Sequence, residues 1–156
     1  VPNYCAGANA LVRIAVSQRQ AGIRRWMYYW TKRPPVDRAL SHGSLMHPDG
    51  SPMPTALAYA TCAFLLEDTD AVGTGIVADG ASVALFRRPD TSTVAVLWAE
   101  KPTAVSVAEE AGQFTIIDIM SNVRASAGRK VTAEPEPVFL EFSHPVDATA
   151  FHATRP

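Results

Sequence analysis

The chain has 156 residues, of which 47% are hydrophobic and 19% charged, with a formal net charge of -1. That composition is globular rather than disordered, and the length suits one ordinary domain or two small ones. The near-neutral balance excludes a broad electrostatic pull on nucleic acid or an anionic membrane surface, and no apolar run is long enough to cross a bilayer. Cys5 and Cys62 are too few for a disulfide framework, and both fall in helical patterns, which predicts buried free thiols. The chain starts with Val, and its first residues already read as the start of a helix. We therefore expect a truncated start and read nothing into the lack of a signal peptide.

Asn3 is a candidate N-cap, and Tyr4, Ala8, Leu11, Val12 and Ala15 recur at helical spacing, with Arg13, Gln18, Arg19 and Gln20 on a polar face. Gly22 fits the left-handed position that ends such a helix. The next run, residues 23–31, is short, aromatic and without helical period, which predicts a strand. Residues 32–54 read as a long loop, with five prolines and the turn signal Pro48-Asp49-Gly50. Pro54 opens a second helix that ends near Asp68, lined by Ala56, Leu57, Ala60, Ala63, Phe64 and Leu66. Helix, buried strand, loop, helix is the order of an α/β barrel or parallel sheet, in which ligands meet the carboxyl ends of strands. Tyr28, Tyr29 and Trp30 sit at such an end.

After residue 72 the apolar pattern shortens to alternation and turns recur. Strands are predicted at residues 82–88 and 93–99, joined as a hairpin by Pro89-Asp90-Thr91-Ser92, and at 104–108, 114–120, 130–133 and 137–142. Such a series argues for an antiparallel sandwich. The expected division is therefore residues 1–72 as barrel-type units, 73–143 as a β-sandwich and 144–156 as a loose tail.

The motifs that carry a family likeness are LVRIAVSQRQAGIRRWMYYW, HPDGSPMPTALAYATCAFLLEDT, VALFRRPDTSTVAVLWA, DIMSN and EPVFLEF, in that order from about Tyr4 to Phe142. In order and spacing they resemble the C-terminal part of retaining glycoside hydrolases of the (β/α)-barrel clan, of the β-xylosidase and α-iduronidase type. The resemblance implies a fold: the C-terminal fragment of a TIM (β/α)8 barrel followed by an antiparallel β-sandwich. Residues 4–21 would be the seventh barrel helix, 23–31 the eighth strand and 54–68 the eighth helix. It also implies that Trp30, with Tyr28 two residues before it, walls the sugar site. Tyr29 stands where the family often carries Asp, so a hydrogen bond from such an Asp to the sugar is not expected here. The family's Asp-Leu-Met-Gly-Asn turn appears here as Asp118-Ile119-Met120-Ser121-Asn122. Ser in place of Gly costs stability if the turn needs a positive φ.

Retaining glycoside hydrolysis needs two carboxyl groups about 5–5.5 Å apart. In the resembling enzymes these are Glu residues at the ends of the fourth and seventh strands, and both would lie before Val1. Glu67, Glu100, Glu109, Glu110, Glu134, Glu136 and Glu141 read as surface carboxylates, so the chain alone is expected to be inactive, with no catalytic residue of its own. His42, His47 and Asp49 lack the helical spacing that aims two imidazoles at one ion, and Ser41-His42 near Asp37 has only sequence proximity to suggest a triad. Neither a metal nor a cofactor is expected. Arg24, Arg25, Lys32 and Arg33 form a basic cluster beside the aromatic run, but the neutral total argues against nucleic acid. Trp26, Tyr28 and Trp30 share one side of the predicted strand, where they either fill a core or face a sugar; Trp98 reads as sandwich core. The expected partner is a carbohydrate substrate bound through a missing upstream barrel, with no nucleic acid or membrane partner and no oligomeric state indicated. The rival readings are a non-catalytic carbohydrate-binding module and a purely structural domain.

Overall fold

A computed structural model of the chain describes residues 4–25, 45–47, 49–77, 80–126 and 128–153. Among these are two α-helices, α1 (Tyr4–Gln20) and α2 (Pro54–Leu66). Nine strands follow: β1 (Asp70–Val77), β2 (Ala81–Arg87), β3 (Thr93–Trp98), β4 (Thr103–Val107), β5 (Phe114–Asp118), β6 (Val123–Ala125), β7 (Lys130–Ala133), β8 (Val138–Phe142) and β9 (Phe151–Ala153). They form two antiparallel sheets, one of order β1-β2-β3-β8-β5-β6 and one of order β7-β4-β9. The β-sandwich of the sequence reading is present, with two helices attached. The eighth barrel strand predicted at residues 23–31 has only residues 23–25 among those described, and these are neither helix nor strand.

The layers run helices, large sheet, small sheet. Between the sheets lies a core that includes Val83, Leu85, Leu97, Val105, Phe114, Leu140, Phe142 and Phe151. Between the large sheet and the helices lies a second, with Val12, Val16, Leu65, Phe86, Val96, Ile117 and Phe139. The central strands are thus buried on both faces. This explains why residues 93–97 carry a continuous buried run rather than an alternation. Trp98 is half-buried and packs against the helix-side core, not between the sheets.

The helix starts and stops follow local chemistry. Gly22, at φ 83°, takes the left-handed position after α1. The Ile23 N–H donates to Gln18 O at 2.9 Å and the Gly22 N–H to Arg19 O at 3.0 Å, the paired bonds that close a helix at glycine. Pro54 occupies the first turn of α2, where a missing N–H is harmless. The face that α2 buries carries Thr55, Ala58, Thr61, Cys62, Leu65 and Leu66. This corrects the sequence reading, which chose Ala56, Leu57, Ala60, Ala63 and Phe64; Phe64 is 75% exposed and Leu57 45%. The reason is that α2 holds no charged residue on any side, so periodicity could not choose between its faces.

Three strands were not predicted. β1 contains Gly73 and Gly75, which weaken the strand signal, and it covers the place where the domain boundary was expected. β6 is three residues long. β9 overturns the expectation of a loose tail: Phe151, His152 and Ala153 pair with β4, and Val146, Ala150 and Phe151 are buried between the sheets. The tail is fixed by long-range pairing, which has no local signature. Cys62 is buried as expected, but Cys5 is exposed.

Turn chemistry completes the frame. In the β2–β3 hairpin the Ser92 N–H and hydroxyl both donate to Asp90 Oδ1, at 2.9 and 2.6 Å, and Thr91 takes φ 71°. Those bonds, the hydroxyl's first, hold the Asp90 carboxyl below its ordinary range. The turn after β5 does need a positive φ: Ser121 stands at 63°. Gly112, at φ 62°, holds a backbone conformation that disfavours a side chain, and a Cβ there would lie 2.6 Å from the His144 ring, which would have to move aside.

Candidate functional site

Trp30 and Tyr28, the residues expected to wall a sugar pocket, lie outside the described residues, as do Trp26, Tyr29, Lys32, Arg33 and His42. What the structure does describe is the frame from which that segment departs. After Gly22 the chain leaves α1 through Ile23, Arg24 and Arg25, beside the junction where α2 hands over to β1. Arg19 holds the two together. Its guanidinium donates to Arg24 O at 3.3 Å, to Leu66 O at 3.1 Å, to Thr69 Oγ1 at 3.2 Å and to Thr69 O. A cation at the C-terminus of α2 also suits the negative end of the helix dipole. Arg24 Nη2 adds an ion pair to Asp70 Oδ1 at 2.6 Å, although both groups are largely exposed and the pair contributes little by itself. The basic cluster of the sequence reading is therefore partly a brace. Arg19, which read as an ordinary polar-face residue, is its centre. Its partners at the α2–β1 junction, Leu66 and Thr69, lie about fifty positions away in sequence, so no local signal could have found them.

Between the C-terminal halves of α1 and α2 lies an open groove of about 590 Å³, lined among the described residues by Arg19, Ile23, Arg24, Tyr59, Phe64 and Glu67. Its lining mixes apolar and aromatic side chains with the charged groups of Arg19, Arg24 and Glu67. Cys62 lines its floor, and burial pushes that thiol up to about 12, so it stays neutral and unreactive at physiological pH. A second depression of about 610 Å³ lies at one end of the large sheet, beside the β2–β3 hairpin. Arg88 Nη1 meets Glu141 Oε1 there at 2.5 Å, both half-buried, and Arg129 is tied to Ala108 O and Gly112 O at 3.0 and 2.7 Å.

The glutamates occupy scattered positions. Glu67 follows α2, Glu100 pairs with Arg13 at 2.8 Å, and Glu109 and Glu110 begin a 3-10 turn before β5. Glu134 and Glu136 lie between β7 and β8, and Glu141 sits within β8. Asp49 accepts hydrogen bonds from the Ser51 hydroxyl and N–H, which lower its pKa. Among the described residues no three His, Cys, Asp or Glu side chains are grouped to hold a metal ion.

The fold so defined is a helix-flanked β-sandwich of the kind found within a glycoside hydrolase. One solved structure that it is similar to is a family 39 glycoside hydrolase from the gut symbiont Bacteroides cellulosilyticus WH2, with a TM-score of 0.65 and 20% identity. The match covers 86% of this chain and 30% of that one, so the chain spans less than a third of its neighbour's length. At this identity the likeness is one of fold. No protein-family model and no curated protein matches the sequence.

Proposed function

We propose that this chain is the C-terminal part of a glycoside hydrolase that cleaves O-glycosidic bonds. In this reading α1, the segment after it and α2 are the last units of a (β/α)8 barrel, and the sandwich braces the barrel's flank. Trp30 and Tyr28 would border the sugar pocket, and the catalytic carboxylates would come from chain preceding Val1. The observation that carries the reading is the asymmetry of the fold likeness: nearly all of this chain against under a third of the other. The covered share exceeds what the strands and their turns could supply, so it extends into the helical part.

The surface of the helices supports the same reading. A helix without charge on any side is a helix made to be covered on every side. In α2 one side meets α1 and the sheet, while Leu57 and Phe64 face outward, as does Ile14 of α1. Covering a Leu or Phe side chain is worth about 1.5–3 kcal/mol. A barrel's inner strands would cover such a face.

The test is the coding sequence upstream of Val1 and the activity of its product. We expect alternating strand and helix patterns with Glu residues closing two strands, and hydrolysis of aryl glycosides by the extended protein but not by the 156-residue chain. In the extended protein Trp30→Ala should raise KM by about tenfold or more. An upstream sequence without a barrel, combined with oligosaccharide binding by the chain alone, would replace this reading with that of a binding module.

A further inference from the structure

The depression beside the β2–β3 hairpin holds more hydrogen-bonding capacity than its own residues use. Glu141 stands in β8, an interior strand of the large sheet between β3 and β5. The register sets Val94, Glu141, Thr115 and Ala125 side by side across four strands, on the face toward the helices. The helices cover Val94 completely but leave Glu141 and Thr115 half-buried. The hollow is the part of that face beyond the helical layer. A carboxylate half-buried inside a sheet is costly without a partner. Arg88 supplies one, yet it meets only Oε1.

The groups left over converge. Glu141 Oε2, the Nε and Nη2 of Arg88 and the exposed Gln113 amide make no hydrogen bond among the described residues. All belong to the lining of one hollow of about 610 Å³, a size within the range of about 300–1,000 Å³ usual for small-molecule sites. Its charged lining residues are Arg88 and Arg129, Asp90 and Glu141, so the two signs balance.

That set disfavours ions of either sign. An anion meets Asp90 and Glu141, and a cation meets two guanidinium groups. A zwitterion would have to open the Arg88–Glu141 pair, at 2.5 Å, to be neutralised by it. A vicinal diol would not. One hydroxyl can donate to Glu141 Oε2 while its neighbour accepts from an Arg88 N–H, and the pair stays closed. Phe114 and Phe142 also line the hollow, but both are buried, so neither offers a ring face for stacking. Hydroxyl contacts alone compete with water, which makes such binding weak.

We propose that this hollow is a carbohydrate-binding subsite of the sandwich, selective for neutral oligosaccharides and formed by Glu141, Arg88 and Gln113. It does not use the aromatic run at residues 26–30. It holds whether or not the chain belongs to a barrel enzyme, a question that the upstream sequence decides by itself.

The probes are cellotetraose, xylotetraose and mannotetraose, with tetragalacturonate as an anionic counterpart. Titrated into the isotopically labelled 156-residue chain, at least one neutral tetraose should shift the amide resonances of residues 88–92, 113–115 and 141–143, with a millimolar dissociation constant. Gln113→Ala, at an exposed side chain, should weaken binding several-fold without moving the unfolding midpoint. Glu141→Gln removes a negative charge from the hollow and should weaken the neutral probe about tenfold or more. Tetragalacturonate, which should leave the parent chain unperturbed, should then shift the same amides. A purely structural Glu141 would not exchange one ligand class for another. Trp30→Ala should bind as the parent does, and the chain extended upstream should show the same binding. The proposal is overturned if no neutral tetraose perturbs these amides. It is overturned too by binding that is lost in Trp30→Ala and kept in Glu141→Gln, or by binding that disappears in the extended protein.

Discussion

Thr61 Oγ1 on α2 and Ser121 Oγ in the turn after β5 lie 2.7 Å apart, joining the helical layer to the large sheet through two hydroxyls. Thr61 also donates to Leu57 O at 2.9 Å. A hydroxyl has one proton, so both contacts are satisfied when Thr61 donates to Leu57 and Ser121 donates to Thr61. Around them Asp118 accepts from Met120 N, Asn122 N and Asn122 Nδ2 at 2.8–2.9 Å, which fixes the turn in which Ser121 holds its positive φ. The turn thus tolerates Ser where glycine would be unstrained, and the hydrogen bond to α2 offsets the cost.

This relationship is testable by a double-mutant cycle. Thr61→Val should lower stability by about 1 kcal/mol. Ser121→Gly alone should be close to neutral, because relief of the left-handed conformation, about 1 kcal/mol, offsets the lost bond. Added to Thr61→Val, however, Ser121→Gly should stabilise. Urea denaturation of the four proteins gives the coupling; strictly additive values would show that the two hydroxyls are independent.

Arg19 is expected to matter far more than a helix-surface arginine ordinarily does. Arg19→Met leaves Thr69 O, on a buried residue, without its charged donor and frees the exit of α1. The loss should be about 2 kcal/mol, and Arg19→Lys should recover only part of it, since an ammonium cannot span acceptors on both sides. Amide exchange should quicken at Thr69 and Arg24 in both variants. Equal stability of Arg19→Met and the parent chain would contradict the brace.

The two thiols should separate cleanly by reactivity. In the native chain a thiol reagent at pH 8 should modify Cys5 and spare Cys62 until the protein unfolds. The linked effect on stability has a definite sign. Burial raises the Cys62 pKa from 9.0 to about 12, so the folded form keeps its proton where the unfolded form loses it. Its contribution is fully present below pH 9.0 and is lost as pH rises toward 12, at up to about 1.4 kcal/mol per unit. Chemical denaturation at pH 8, 9.5 and 10.5 should show this loss in the parent chain and a shallower one in Cys62→Ala.

The C-terminal strand should be indispensable to the sandwich. Phe151 packs edge-on against Phe142, with ring centroids 6.2 Å apart, inside the core between the sheets. Phe151→Ala should cost about 3–5 kcal/mol, and removal of residues 146–156 should leave β4 with an unpaired edge and a poorly folded protein. A truncated chain with the parent's unfolding midpoint would show that β9 merely rests on the sandwich.

Local chemistry was sufficient to determine α1 with its stop at Gly22, the Pro54 start of α2, the β2–β3 hairpin with its Asp90-Thr91-Ser92 turn, and the short strands that argue for a sandwich. Each depends on residues within a few positions of one another. The partner of each face was settled only in three dimensions. α2 is apolar all round, so periodicity could not tell that Leu65 and Thr61 turn inward while Phe64 turns out. β1 is weakened by its glycines and exists because β2 supplies its bonds, and the tail becomes β9 because β4, far back in the chain, has an edge to offer. Arg19 belongs to the same class, an ordinary helical arginine by sequence that becomes a brace only when α2 and β1 arrive beside it.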